Sequence, residues 1–412
     1  INGGVIGGTS VSEANTTTGS SGKGGGIFVS GTNSAVTLLG TANVIGNTAK
    51  FHGGGVFVDT GSVLNMQGSA IVTPSTGSDA NAPLKNDVYL MDGCKIKLSE
   101  TLSGAVPVAR ITPDTYNTTT QVLTGGAVGT EHGKFTVTPK DLGSGNTQQW
   151  EINSTGFLQK TPVVIDSSGD AWKKLKDAVA AANDDDVIII DGAIKATNGS
   201  GGKIEIKKNL TIRGKNGADS DILNANRGAL NTNAHSIFDM DRGKTLKLEN
   251  LTLKGGKGIA GGTLGGGAIL IPSGGGTTAE LSDCIIEDCQ AEKGGAIGCG
   301  KGGTVKLTNT TIKKCKASGS GSDSGGGAIF AQGATVEMTD CTLTGNEAKS
   351  GGAIYAQKAG APSNTPSTVT ISGGTIGGTE EADANKATGN GTGSDGGGGI
   401  YVGETCTLTM QN

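Results

Sequence analysis

Gly294-Gly295-Ala296-Ile297, Gly326-Gly327-Ala328-Ile329-Phe330 and Gly351-Gly352-Ala353-Ile354-Tyr355 are copies of one block, and their spacing decides the fold. Further copies are Gly24-Gly25-Gly26-Ile27-Phe28, Gly53-Gly54-Gly55-Val56-Phe57, Gly266-Gly267-Ala268-Ile269-Leu270 and Gly398-Gly399-Ile400-Tyr401. Measured at the aliphatic residue, the steps are 29 residues from Ile27 to Val56, then 28, 32, 25 and 46 from Ile269 to Ile400. A fixed period of this size marks a solenoid, and 25–32 residues suit one turn of a parallel β-helix with variable loops. A helical hairpin repeat of the same length is excluded, because this much Gly and Thr would break its helices.

Between the blocks runs a second repeated segment of alternating character. It reads Leu246-Lys247-Leu248-Glu249-Asn250-Leu251-Thr252-Leu253, with later copies starting at Ala279, Val305, Val336 and Val369. Side chains alternate across a strand, so Leu248, Leu281, Leu307, Met338 and Ile371 are expected in one inward column. Leu253, Ile286, Ile312, Leu343 and Ile376 form a second column after a bend. On the outward face Lys247, Glu280, Lys306 and Glu337 alternate in sign, which reads as register control because a slip by one rung would oppose like charges. Asn250, Asp283, Asn309 and Asp340 recur at one corner, where left-handed backbone suits Asn and Asp.

The composition agrees with a core built from stacked aliphatic columns. Gly supplies 75 of 412 residues, aromatics only 3% and charged residues 17%, with a net charge of −4. There is no triplet period of glycine for collagen, and no basic patch for nucleic acid. No stretch approaches the length of apolar residues a bilayer-crossing helix needs. The chain opens on Ile1-Asn2-Gly3-Gly4 and ends within a repeat, and is read as a piece of a longer protein with export and anchoring signals elsewhere.

The expected organisation is all-β: a right-handed parallel β-helix in two tandem blocks. Residues 1–83 carry the closing rungs of the first helix. The glycine blocks then stop, and residues 84–160 are expected to form an irregular β section that caps it. The second helix spans 161–412. Its start is marked by Ala171-Trp172-Lys173-Lys174-Leu175-Lys176-Asp177-Ala178-Val179-Ala180-Ala181-Ala182, whose apolar spacing predicts an amphipathic helix over 171–182 that plugs the open end.

The residues that alternate with the block's Ile are Phe28, Phe57, Leu270, Gly298, Phe330, Tyr355 and Tyr401. If the Ile points inward, this row points outward. Either neighbouring loops cover it, or Phe28, Phe57, Phe330, Tyr355 and Tyr401 form an exposed stripe that binds a partner. The row holds no acid, base or metal ligand, so no paired-carboxylate glycosidase site is visible there. The acidic and basic residues outside the ladders gather at Asp219, Asp221, Arg227, Asp239, Asp241 and Arg242, where a carbohydrate-active enzyme would need its cluster.

Other motifs fail their context. His52, His132 and His235 are isolated. Gly256-Lys257-Gly258-Ile259-Ala260-Gly261 is not followed by a helix-forming segment, as a dinucleotide site requires. Gly243-Lys244-Thr245 lacks the first glycine of a phosphate loop, and Gly319-Ser320-Gly321-Ser322-Asp323 and Gly393-Ser394-Asp395 lack the period of calcium nonapeptides. Of seven cysteines, Cys289 and Cys315 share a column with Asn346, while Cys284 and Cys341 share another with Thr310. They read as stacked buried thiols, with a Cys289–Cys315 disulfide as the alternative. No cofactor and no metal are expected.

The glycine blocks, preceded by Leu343-Thr344-Gly345-Asn346-Glu347-Ala348 and Val44-Ile45-Gly46-Asn47-Thr48-Ala49, resemble the repeats of the chlamydial polymorphic outer-membrane proteins. Those pair a Gly-Gly-Ala-Ile motif with a Phe-x-x-Asn motif. Here Leu343 or Val44 stands for the Phe, and Cys289 and Cys315 replace the Asn. The similarity covers about 1–83 and 260–412. It implies an autotransporter-like bacterial passenger at the cell surface, anchored in an outer membrane by segments outside this chain. The expected role is non-enzymatic display or adhesion, with a protein or glycan on a host or neighbouring cell as partner. A carbohydrate-active β-helix and a self-assembling surface filament or coat are the alternatives.

Overall fold

The computed structural model describes every residue except 11, 76–84, 144–145, 200, 227–234, 259–263, 322, 390–395 and 412. The chain divides into two units, Ile1–Thr161 and Pro162–Asn412. Each is built mainly of short parallel strands that return to the same sheets once per repeat, an arrangement consistent with a β-helix or solenoid.

In the second unit, the nine-stranded sheet runs in register from Val163–Asp166 through Asp186–Asp191, Leu210–Gly214 and Thr245–Glu249 to Thr407–Gln411. Two seven-stranded sheets accompany it. One begins at Ile194–Lys195 and ends at Thr375–Ile376; the other carries the glycine blocks, from Ile204–Ile206 to Ile400–Val402. Leu248 pairs with Leu281, Leu281 with Leu307, Leu307 with Met338 and Met338 with Ile371. The second column, Leu253 to Ile376, is equally continuous. Ile269, Ile297, Ile329, Ile354 and Ile400 make a third. Nearly all of these side chains are buried, each contributing about 1.5–3 kcal/mol of apolar burial.

The corners explain the punctuation of the sequence. Asn250, Asp283, Asn309 and Asp340 have φ of 54, 53, 45 and 53°, and the fifth copy puts Gly373 there at 67°. Left-handed backbone is strained for most side chains, but Asn and Asp visit it readily and Gly freely. The glycine block has two separate demands. Its first glycine is left-handed, at 56° in Gly294, 70° in Gly326 and 55° in Gly351. A Cβ on its second would lie 2.2 Å from the next rung's carbonyl oxygen, whether Gly295 meets Gly327 or Gly327 meets Gly352.

Helix Ala171–Ala181 is capped by Asp170, whose carboxylate accepts the Lys173 N–H at 3.1 Å. It buries Ala171, Trp172, Leu175 and Val179 against the first rungs, and Trp172 Nε1 donates to the Gly202 carbonyl at 3.1 Å.

The first unit departs from the reading of 84–160 as irregular. Its five-stranded parallel sheet takes Ile27–Val29, Val56–Val58, Val88–Leu90, Ala109–Pro113 and Phe135–Val137 in order. A four-stranded sheet likewise continues into Ile96–Leu102 and Leu123–Thr124. The rungs persist because Val56, Val88, Ile111 and Val137 keep the aliphatic column without the glycines. The parallel pattern gives way after Val137 to two antiparallel hairpins, Lys140–Gly143 with Asn146–Gln148 and Trp150–Ile152 with Leu158–Lys160. A one-turn helix at Val128–Glu131, too short to leave a period in the sequence, precedes that change.

Candidate functional site

The aromatic row forms as two continuous stacks. Phe28, Phe57 and Tyr89 lie ring over ring with centroids 5.4 Å apart at each step. Phe330, Tyr355 and Tyr401 follow at 5.7 and 4.5 Å. The row is not an exposed stripe. Phe57 and Phe330 are wholly buried and Tyr355 is 3% exposed; only Phe28, half exposed, and Tyr401, partly exposed, reach solvent. The covering segment is the one that leads into the neighbouring rung's glycine block. Lys293 places its ammonium 5.4 Å over the Phe330 ring and Lys23 sits 4.6 Å over Phe57. Gly325 lies so close to Tyr355 that a Cβ would meet its ring at 2.1 Å. At Gly298 the roof descends to the backbone of Gly265, which leaves no room for a side chain.

Of the acidic and basic residues between 219 and 242, Asp221, Asp239 and Arg242 are each engaged separately. Asp221 is fully buried and accepts the Gly192, Asn216 and Gly217 N–H groups, which makes it a backbone clasp. Asp239 pairs with Lys203 at 2.5 Å. The Arg242 side chain lies along Gly274, and Arg227 falls outside the described residues. Parts of the G-x-G-x-x-G segment and of both calcium-like segments also fall outside them. His235 is held between the Gly202 N–H and the Ser236 carbonyl, beside Trp172. His132 contacts the Val128 carbonyl, and His52 stacks on Tyr89 at 4.1 Å. No group of three His, Cys, Asp or Glu side chains suited to a metal occurs among the described residues, and no helix among them is long and apolar enough to cross a membrane. All seven cysteines are free thiols, and all but Cys406 are buried. Burial pushes the Cys284 and Cys299 thiols up to about 12.

The first unit holds what the sequence reading missed. In its five-stranded sheet Val88 pairs with Val56 and with Ile111, so Asp87 and Arg110 occupy the position that Gly55 fills in the glycine block. Asp87 accepts the Gly54 N–H at 3.1 Å and the Thr112 hydroxyl at 2.5 Å, and Thr112 is 2.6 Å from the Thr138 hydroxyl. Burial pushes the Asp87 carboxyl up to about 7, against the opposing effects of Thr112 and Arg110. Beside it Arg110 is 4% exposed, with one long hydrogen bond from Nη1 to the Ser75 carbonyl at 3.4 Å. Among the described residues its Nε and Nη2 have no partner, and neither has Trp150 Nε1. Each buried unpaired donor costs about 1–3 kcal/mol. The 32-residue step from Val56 to Val88 lies within the repeat's own range and was the available signal.

Arg110 and Trp150 border a cavity of about 610 Å³, within the usual range of small-ligand sites, about 300–1,000 Å³. Phe135, Pro74 and Pro107 line it with them, Val106 and Thr136 are exposed at its rim, and Glu151 is its one carboxylate among the described lining. Arg110 is the one cation of that lining. No family model matches the chain, and no curated protein matches it.

Proposed function

We propose that this chain is a right-handed parallel β-helix that serves, without catalysis, as the exposed passenger of a bacterial surface protein and makes adhesive contact with host or neighbouring cells. One observation supports the reading above others: the rungs repeat in strict register while residues that would carry chemistry are spent on holding that register. Lys247, Glu280 and Lys306 are joined at 3.4 and 3.9 Å, and Lys254, Glu287 and Lys313 at 2.5 and 3.2 Å. Right-handedness rests on the general rule that about 98% of parallel crossover connections take that hand. A rigid stack that lengthens rung by rung suits the presentation of loops away from a cell.

The test is antibody against the purified chain applied to intact and to lysed cells of the source organism, together with adhesion of chain-coated beads to cell monolayers. Labelling of intact cells and bead adhesion above an albumin-coated control are expected. Labelling only after lysis overturns the surface role, and beads that fail to adhere overturn the contact role.

A further inference from the structure

We infer that the cleft between Gln357, Tyr401 and the Lys358–Glu404 ion pair is a binding site for a neutral pyranose, a sugar ring that carries no ionised group. The inference deepens the contact reading above by naming a ligand class, and it rests on that reading for its biological setting.

The cleft arises where one column of the repeat is interrupted. Side chains alternate along a strand, so Gln332 and Gln357 fall on the outward face, two residues after Phe330 and Tyr355. The two glutamines are in register on successive rungs. On the next rung Val402 pairs with Ala356, so Gly403 stands where a third glutamine would be. A space of about 360 Å³ adjoins this position, lined by Gln332, Gln357, Tyr401, Asn364 and the Lys358–Glu404 pair. An atom at the missing Cβ of Gly403 would lie 3.5 Å from Tyr401 Cε1, in ordinary van der Waals contact with the ring. The groups that would meet a ligand are at the surface. Gln332, Gln357 and Tyr401 are partly exposed and Asn364 is exposed, while the Lys358 and Glu404 side chains are 37% and 75% exposed.

The lining narrows the class. Lys358 Nζ lies 2.6 Å from a Glu404 oxygen, and the described lining holds no other ionised side chain. A phosphate or carboxylate therefore meets no surplus positive charge. Gln332, Gln357, Asn364 and the Tyr401 phenol each offer both a donor and an acceptor. An apolar ligand would strip these groups of water and replace nothing, whereas sugar hydroxyls match them in both roles. The Tyr401 ring adds the apolar contact that a pyranose C–H edge can cover. About 360 Å³ is near the lower end of small-ligand sites, about 300–1,000 Å³, which suits one sugar ring better than a length of peptide.

The experiment is saturation-transfer NMR on the full chain with glucose, galactose, mannose and N-acetylglucosamine. Glucuronate, acetate and N-acetylglycine methylamide, a neutral peptide mimic, are the comparisons. At least one neutral sugar is expected to bind with Kd near 5 mM or tighter, with acetate and the mimic at least about fivefold weaker. Glucuronate should bind no more tightly than glucose. Gln357→Leu, Tyr401→Leu and Gly360→Trp should each weaken the sugar signal at least about fivefold. Gly360 is an exposed member of the lining at which an added Cβ meets nothing within 4 Å, so a bulky side chain there obstructs the cleft without disturbing the core. Equal binding of acetate or the mimic, or tighter binding of glucuronate, overturns the neutral-sugar assignment. No transfer from any neutral sugar at about 20 mM, or an undiminished signal in all three variants, overturns the site. If Tyr401→Leu disturbs its rung, Gln357→Leu and Gly360→Trp still decide. Absence of sugar binding leaves intact-cell labelling unaffected, so failure of the site and failure of surface display are separable.

Discussion

The side-chain oxygen of Asn385 accepts both the backbone N–H and the side-chain amide of Asn346, each at 3.0 Å. Asn346 in turn accepts the Cys315 N–H at 3.0 Å and donates to the Ile312 carbonyl. The first unit repeats the device, with Asn47 donating to Asn86 and accepting from Asn15. In the rungs that carry Asn at this position, one side chain thus satisfies backbone groups at a bend.

Asn346→Ala removes that service while Asn346 is wholly buried. Leaving the Cys315 N–H and the Ile312 carbonyl unpaired is expected to cost about 2–4 kcal/mol. Urea unfolding of the second unit should shift accordingly, and amide exchange at Cys315 should accelerate ahead of its neighbours.

The buried Asp87 makes the first unit sensitive to pH. Its carboxyl titrates near 3.8 when unfolded and near 7 when folded, so between those values the folded state holds the extra proton. The stabilising contribution is complete below pH 3.8 and is lost as pH rises through 7, a difference of roughly 4 kcal/mol at 1.36 kcal/mol per unit. Stability of the first unit, followed in urea by Trp150 fluorescence in a Trp172→Phe background, should fall between pH 5 and pH 8 by a large part of this, with other groups superimposed. Asp87→Asn keeps an acceptor for Gly54 and should flatten that dependence.

Register control by charge has a specific signature. Glu280→Lys sets three lysines in one outward column, since Lys247, Glu280 and Lys306 are in register. Like charges across paired strands are expected to destabilise the second unit by about 0.5–2 kcal/mol. These side chains are a third to a half exposed, so about 0.5 M salt should recover much of the loss. Glu280→Gln should cost less than about 1 kcal/mol.

Thiol chemistry should separate one cysteine from six. Cys406 is only partly buried, whereas the others are closed in the interior. A disulfide-exchange reagent at pH 8 should titrate about one thiol promptly in the native chain, and all seven once guanidinium unfolds it. Recovery of five in non-reducing guanidinium, with all five remaining thiols still titrated in Cys289→Ser/Cys315→Ser, would instead show that Cys289 and Cys315 are joined.

How much of this the sequence discloses depends on repetition. Leu248, Leu281 and Leu307 could be placed in one column because each meets the same surroundings in every rung, and the Asn250 corner was readable because its backbone demand recurs. The stretch from Asp87 to Val137 was hidden for the converse reason: Asp87 and Arg110 stand where a glycine marks the other rungs, so the marker disappears while the aliphatic column continues. Alternation along a strand shows that Phe57, Phe330 and Tyr355 leave the interior column. It carries no information about Lys293 or Gly325, which arrive from another rung to cover them. The Arg110 cavity was beyond reach because its wall joins a parallel strand to Trp150 of a hairpin, and no period links the two.

Tyr401 stacks on Tyr355 although the step between their rungs is 46 residues, whereas the step from Ile329 to Ile354 is 25. Extra length is thus absorbed outside the paired strands, and the stack above resumes in phase. Foreign peptide grafted into that long excursion should leave the scaffold's alignment untouched, so the repeats can vary what lies between their strands without renegotiating how they fold.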